Sequence, residues 1–359
     1  MTLANDNLAY DFKDFQEEIS TEYFSRDYSD YDNSTDYTPV DGAKRYTAYQ
    51  IVSLLVFFVV FLLGVPGNAL VIWVTRLESH KVVNAVWFQN LATADLFCCL
   101  VLPLLAVPII QHDRWPFDNV SCRLLSCVIL LNLYTSVLLL TLISLDRCML
   151  VMKPIWCQNH RNVTLAKVAC GVVWALALVL TIPAMIYRTL KEDLPGHWEC
   201  VVDFEGKWQV EVGIAVSRFL FSFVGPLLII SICYVLLLNR LWSRQATRSH
   251  KTIKVVVAVV VGFFFCWTPY QIVGLLIAVS SKGSSVYRWM QHFDSLTIAL
   301  AYVNSCINPV IYVVAGHGIK DRMARYSIYS LLQKVLTEDS VGRESKSFTR
   351  STAVSEEHV

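Results

Sequence analysis

One carboxylate, Asp95, stands alone in an otherwise uncharged stretch covering residues 85–111. A stretch of that length suits a bilayer interior, where an ionisable group is expensive and serves function by default. Asn68, Asn132, Ser136, Asn304 and Asn308 fall in comparable apolar runs. Facing one another, they form a hydrated pocket around Asp95 fit for a small cation such as sodium; the plain alternative is a hydrogen-bonded structural acid. A second chemistry lies at Asp146-Arg147, which closes the uncharged block 124–145 that follows Cys122-Arg123. A helix rises about 1.5 Å per residue and the hydrocarbon core is ~30 Å thick, so the two ends of this block sit in opposite aqueous interfaces. The Cys122 thiol can then staple an outer loop, while the acid–base pair meets something inside the cell. Two prolines add mechanics, in Cys266-Trp267-Thr268-Pro269, with Phe263 one turn earlier, and in Asn308-Pro309-Val310-Ile311-Tyr312. Proline inside a helix frees a carbonyl and kinks the rod, and a neighbouring asparagine can satisfy what is released.

The elements that must position these groups are legible from composition. Only 16% of the 359 residues are charged and 55% are hydrophobic, with mean hydropathy +0.47; a soluble chain carries about a quarter charged residues. The fold class expected is an all-α membrane protein, a seven-transmembrane helix bundle with a short amphipathic helix after the last span. The seven runs are 51–74, 85–111, 124–145, 168–187, 219–239, 255–281 and 295–315. Loops after the first, third and fifth runs are basic, whereas the loop between the fourth and fifth carries Glu192, Asp193, Glu199, Asp203, Glu205 and Glu211. The positive-inside rule places the basic loops in the cytoplasm and the N-terminus outside.

Four regions follow: an acidic extracellular tail, 1–45, expected to be disordered; the bundle, 46–315; an amphipathic surface helix, 316–336; and a cytoplasmic Ser/Thr-rich tail, 337–359. The outer tail packs eleven acidic residues against Lys13 and Arg26 by residue 41, too little apolar surface to fold alone. Asn33-Ser34-Thr35 is a glycosylation sequon there. Tyr28 and Tyr31 sit among acids, the setting that tyrosine sulfation favours; the plain alternative is a solvated linker. A field that negative steers a cationic ligand to the mouth. Ser340, Ser345, Ser347, Thr349, Ser351, Thr352 and Ser355 are spaced as kinase targets whose phosphates dock on arrestin, although many such tails are merely flexible. A transporter is the other class that Asp95 allows, but no internal repeat is visible. An intramembrane enzyme is more distant, since no His pair or paired acids fall within the spans.

The motifs together resemble a known family. Gly67-Asn68, Leu91-Ala92-Thr93-Ala94-Asp95, Asp146-Arg147, Trp174, Pro226 with Tyr234, Trp267-Thr268-Pro269 and Asn308-Pro309 to Tyr312 match, span by span, the rhodopsin-like G-protein-coupled receptors. Cys148 departs from the tyrosine usual in that family, a change seen among its chemoattractant receptors. Trp115-Pro116-Phe117, Pro154-Ile155-Trp156-Cys157-Gln158-Asn159 and Arg343-Glu344-Ser345-Lys346-Ser347 narrow the likeness to chemoattractant receptors, the anaphylatoxin receptors first, with formyl-peptide and chemerin types behind.

The resemblance implies a signalling receptor and no enzyme. Its ligand is an anaphylatoxin or a related basic chemoattractant peptide. Its inner partners are an inhibitory-class G protein, arrestin and receptor kinases, and its setting is the plasma membrane. It implies that Asp146 restrains Arg147 at rest, that Trp267 and Phe263 relay ligand contact to the sixth span, and that Cys122 pairs with Cys200. No cofactor is expected beyond a sodium ion at Asp95. Arg218, opening the fifth span, and Arg188, ending the fourth, can clamp a peptide carboxylate in bidentate fashion. Asp294, at the top of the seventh span, Glu211, before the fifth, and Asp203 complete the ligand set, with Tyr270 at the pocket floor. The plain alternative is that Arg218 and Asp294 pair with each other.

Overall fold

The structure, a computed structural model, describes residues 46–242 and 250–315. The outer tail with Tyr28, Tyr31 and Asn33, the surface helix expected over 316–336 and the tail from Ser340 to Ser355 lie outside those residues. The first span is Ala48–Glu78, the second Val83–Leu100 continued by Leu102–Ile110, the third Asn119–Met152 and the fourth Val163–Tyr187. The fifth runs Trp208–Phe219, a π turn Leu220–Val224, then Gly225–Trp242; the sixth is His250–Val279 and the seventh Ser285–Ala315. A short helix, Pro154–His160, links the third and fourth.

By length and hydropathy alone six of these qualify to cross a membrane. The seventh, 31 residues long, has the length, while Asp294, Asn304 and Asn308 lower its hydropathy. The seven spans form one helical bundle, as expected.

The helices overrun the uncharged runs, because caps and polar flanks extend a helix into the interface where water solvates side chains. Asp118 caps the third span, its carboxylate accepting from the Ser121 amide at 2.9 Å, and those Ser121 bonds hold it below the usual carboxylate range. Asn162 caps the fourth, accepting from Leu165 N–H at 2.7 Å. The overrun corrects three placements. Arg218 does not open the fifth span but lies near the end of its first segment, Glu211 belongs to that segment's first turn, and Asp294 sits well inside a span that begins at Ser285.

Breaks have local causes. The second span interrupts at Val101, two residues before Pro103, whose missing N–H leaves the Cys99 carbonyl to the Val101 amide. The π turn ends just before Pro226, which cannot donate to the carbonyl four residues back; the Gly225 amide reaches Leu220 instead.

The bundle is inverted relative to a water-soluble protein. Phe58, Phe97, Phe221 and Phe265 point outward, while Asn68, Asp95, Asn132, Asn304 and Asn308 are buried. Apolar rings in lipid cost nothing, whereas polar groups must find partners within the bundle. The outer loop between the fourth and fifth spans is not irregular: β1, Arg188–Leu194, and β2, His197–Val202, form an antiparallel hairpin. The Cys122–Cys200 disulfide ties β2 to the head of the third span. The nine free cysteines among the described residues are all buried.

Candidate functional site

The outer end gathers Arg218, Tyr270 and Asp294 from three spans and Arg188 from the hairpin. Arg218 donates from Nη1 to the Tyr270 hydroxyl at 3.3 Å, and its guanidinium carbon lies 5.0 Å from the centre of that ring. Gly274, one turn beyond Tyr270, makes room for it: a Cβ there would run into Arg218 Nη2. The Arg218 carbonyl accepts from Ser222 Oγ at 2.7 Å, and Ser222 in turn accepts from Gln271, which locks the fifth span to the sixth beneath the guanidinium.

Arg188 is the first residue of β1, not the last turn of the fourth span. Its Nη1 donates to the Cys200 carbonyl at 3.4 Å, so the disulfide strand holds it over the bundle. Burial pulls its guanidinium below the ordinary value, yet an arginine remains a cation at neutral pH. Asp294 lies within electrostatic reach of both Arg188 and Arg218. Among the described residues Arg218 and Asp294 form no direct ion pair, so the plain alternative of a simple pairing is replaced by Arg218 bound to Tyr270.

Two other members sit apart from this cluster in partners. Glu211 is 3.9 Å from Lys282 and, with Trp208, lines a separate rim cavity of about 460 Å³. Asp203 accepts from the Glu205 amide at 2.8 Å and meets Lys191 at 3.5 Å; the Glu205 amide first, then Lys191, hold its carboxyl below the usual range. Both are already partnered within the loop region.

Below Tyr270 the rings continue inward. Tyr270 meets Trp267 edge-on at 5.8 Å, Trp267 lies 6.0 Å from Phe263, and Phe264 carries the contact to Phe223 of the π turn at 5.4 Å. Trp267 and Phe263 are each only 1% exposed. Beside Pro269, which lies within the continuous sixth helix, Thr268 Oγ1 donates to the Phe264 carbonyl.

At mid-depth, Asp95 is fully buried. It accepts from Asn132 Nδ2 at 3.0 Å and Asn308 Nδ2 at 2.7 Å, and Ser136 donates to Asn132 Oδ1 at 3.4 Å. Asn304 lies one turn before Asn308, with neither amide atom hydrogen-bonded among the described residues. Asn68 makes no hydrogen bond to Asp95 among the described residues. It donates to the Gly64 and Ser305 carbonyls at 2.9 and 2.7 Å, and Gly67 packs its backbone on Pro309. The backbone at Tyr312 is helical.

The inner end holds a four-residue cluster where the sequence showed a pair. Arg147 Nη2 is 3.1 Å from Asp146 Oδ2 and also donates to Asn84. Arg161 forks onto the same carboxylate, Nε to Oδ1 at 2.7 Å and Nη2 to Oδ2 at 3.1 Å, with Nη2 at 2.8 Å from Asn84 Oδ1. Tyr234 packs against Cys148, Cys233 and Leu237, so Cys148 occupies an inner packing position. Sequence reading had no signal for Arg161 or Asn84. Both are distant in the chain, and an arginine in a basic loop reads only as an orientation marker.

The arrangement supplies an outer cationic cluster, an aromatic stack, a buried carboxylate and an inner arginine held by an acid. Comparison with known proteins gives the family. The family model described as 7 transmembrane receptor (rhodopsin family) matches residues 67–312. The chain is 51% identical to C5a anaphylatoxin chemotactic receptor 1 of Gorilla gorilla gorilla, over 93% of this chain and 96% of that one. It is 52% identical to the receptor of the same name in Oryctolagus cuniculus, over 91% and 95%, and 53% to that of Canis lupus familiaris, over 84% and 86%. This chain therefore belongs to the rhodopsin family of seven-transmembrane receptors.

Proposed function

We propose that this receptor answers the complement anaphylatoxin C5a, or a related basic chemoattractant peptide, by driving nucleotide exchange on an inhibitory-class G protein. Chemotaxis, calcium release and the inflammatory response of leukocytes are the outputs of that reading. The observation that carries it is Arg218 seated over the Tyr270 ring, which leads to Trp267, with Arg188 held by the Cys200 carbonyl of the disulfide strand. Two guanidiniums at this end of the bundle suit a peptide carboxylate, because charge-assisted forked bonds are strong. Asp294 would meet a cationic side chain of the same peptide. The names of the relatives support this ligand over others. Gln158-Asn159-His160-Arg161 favours a second reading, a receptor of formyl-peptide or chemerin type.

The receptor sits in the plasma membrane with its acidic N-terminus outside, where Asn33 is glycosylated and sulfated Tyr28 and Tyr31 deepen the negative field that draws a basic ligand. Inside, receptor kinases phosphorylate the set from Ser340 to Ser355 and arrestin docks there. The Asp95 pocket fits a small hard cation: its donors are oxygens, and Asn304 Oδ1 and Asn308 Oδ1 are buried without a hydrogen-bond partner among the described residues. Asp95, Asn132, Ser136, Asn304 and Asn308 would hold sodium there, and the ion supplies a charge that neutralises the carboxylate.

The test is a calcium or cyclic-AMP response in cells expressing the receptor, given C5a, formylated peptides and chemerin in turn. A nanomolar response to C5a alone is expected. A response to either other ligand with none to C5a moves the assignment to that type, and ion flux without a G protein would overturn the receptor reading.

A further inference from the structure

The outer hairpin carries a group of side chains that the ligand cluster does not use. Asp193, His197 and Glu199 bring one ligand atom each within 4.8 Å of one another. His197 and Glu199 are two apart on β2 and so share a face. Asp193 joins them because the strand pairing slips between Glu192 and Leu194, an irregularity that places an extra residue at the end of β1. The reversal itself is tied off separately: Gly196 takes a left-handed φ of 77°, and its amide donates to Glu192 Oε1 at 2.7 Å. Glu192 is thereby committed to the turn, and the other three are left to each other.

Two further observations point to a cation. The His197 side chain is 22% exposed, but its Nδ1 is buried, has no hydrogen-bond partner among the described residues, and lies 3.6 Å from Glu199 Oε1. Among the described residues, no lysine or arginine lies within ion-pair distance of Asp193 or Glu199; Lys191, across from Glu199 in the pairing, turns to Asp203 at 3.5 Å. Two carboxylates thus flank an imidazole with no fixed cation to answer them.

We propose that Asp193, His197 and Glu199 form a binding site for a transition-metal dication, zinc by the chemistry of the set. Calcium and magnesium take all-oxygen shells, whereas an imidazole with carboxylates suits zinc at bonds of about 2.0–2.2 Å. Those bonds require the three atoms to draw in by roughly 1 Å, which side chains at a hairpin end can do by rotamer changes. Three protein ligands leave the fourth tetrahedral position to water. The site acts on ligand reading through β2: three residues past His197 is Cys200, bonded to Cys122 and accepting from Arg188. A metal that fixes the hairpin end stiffens β2, whose Cys200 carbonyl holds Arg188.

Zinc chloride titrated into the purified full-length receptor in lipid nanodiscs, followed by calorimetry, tests this. One zinc equivalent is expected that calcium and magnesium fail to displace, lost or weakened roughly tenfold or more in His197→Ala and in Glu199→Gln, with Glu192→Gln unaffected. His197→Cys should restore the site and turn its preference toward cadmium, which separates loss of a ligand from loss of the hairpin. The proposal is overturned if His197→Ala binds zinc as the unaltered receptor does, or if His197→Cys, correctly folded by surface antibody, recovers neither metal. This readout needs no agonist, so its failure leaves the reading of the ligand site untouched.

Discussion

A guanidinium within a membrane bundle is costly unless its charge is answered, and Arg218 is answered by a ring face and a hydroxyl in place of a carboxylate. That leaves its attraction for an anionic ligand largely unspent. Replacing Arg218 with Ala should reduce peptide potency at least tenfold, about 1.4 kcal/mol, at unchanged surface expression; an unshifted dose–response curve would remove Arg218 from the site. Gly274→Ala is the companion change. It adds one methyl where the guanidinium head lies, so it should move potency in the same direction without deleting a charge. Sequence pointed to Arg218 as an isolated cation near a span's end. It did not point to Gly274, since one glycine in an apolar helix has no signature until the partner is in place.

At the scale of elements, the sixth and seventh helices run on through Pro269 and Pro309, and the spans were readable as uncharged runs. Their true ends were not. The fifth and seventh helices start at Trp208 and Ser285, because interfacial side chains such as Trp289 and Tyr287 continue a helix without adding hydrophobicity. The first and seventh spans meet where Gly67 faces Pro309, with room for no more: a Cβ on Gly67 would stand 3.0 Å from Pro309 Cβ. Gly67→Ala should therefore cost about 1–3 kcal/mol through overpacking, read as a lower melting temperature of the purified receptor. Gly171→Ala, where no atom lies within 4 Å, should leave melting unchanged or raise it. Equal melting of both variants would show that the Pro309 contact yields.

Across the whole molecule, the outer cluster and the inner arginine belong to one packed body, and at the inner end Asp146 divides its charge between two arginines. Arg161 takes both carboxylate oxygens while Arg147 shares one. Arg161→Ala should return the carboxylate to Arg147 and lower agonist-independent nucleotide exchange about two- to fivefold, on the order of 0.5–1 kcal/mol for a partly exposed pair. Raised basal exchange would show instead that Arg161 is a brace for the resting state.

Taken by itself, the sequence determined the class, the number of spans and the residues worth watching, because a bilayer imposes length and apolarity on local stretches of chain. The tertiary structure decided which of those residues share a site. Arg218 on Tyr270, Arg161 on Asp146, Asn68 on the Ser305 carbonyl away from Asp95, and Asp193 beside His197 are pairings set by how helices rotate and how one strand slips. Rotation and register are fixed by packing between distant segments, which no single stretch of sequence encodes.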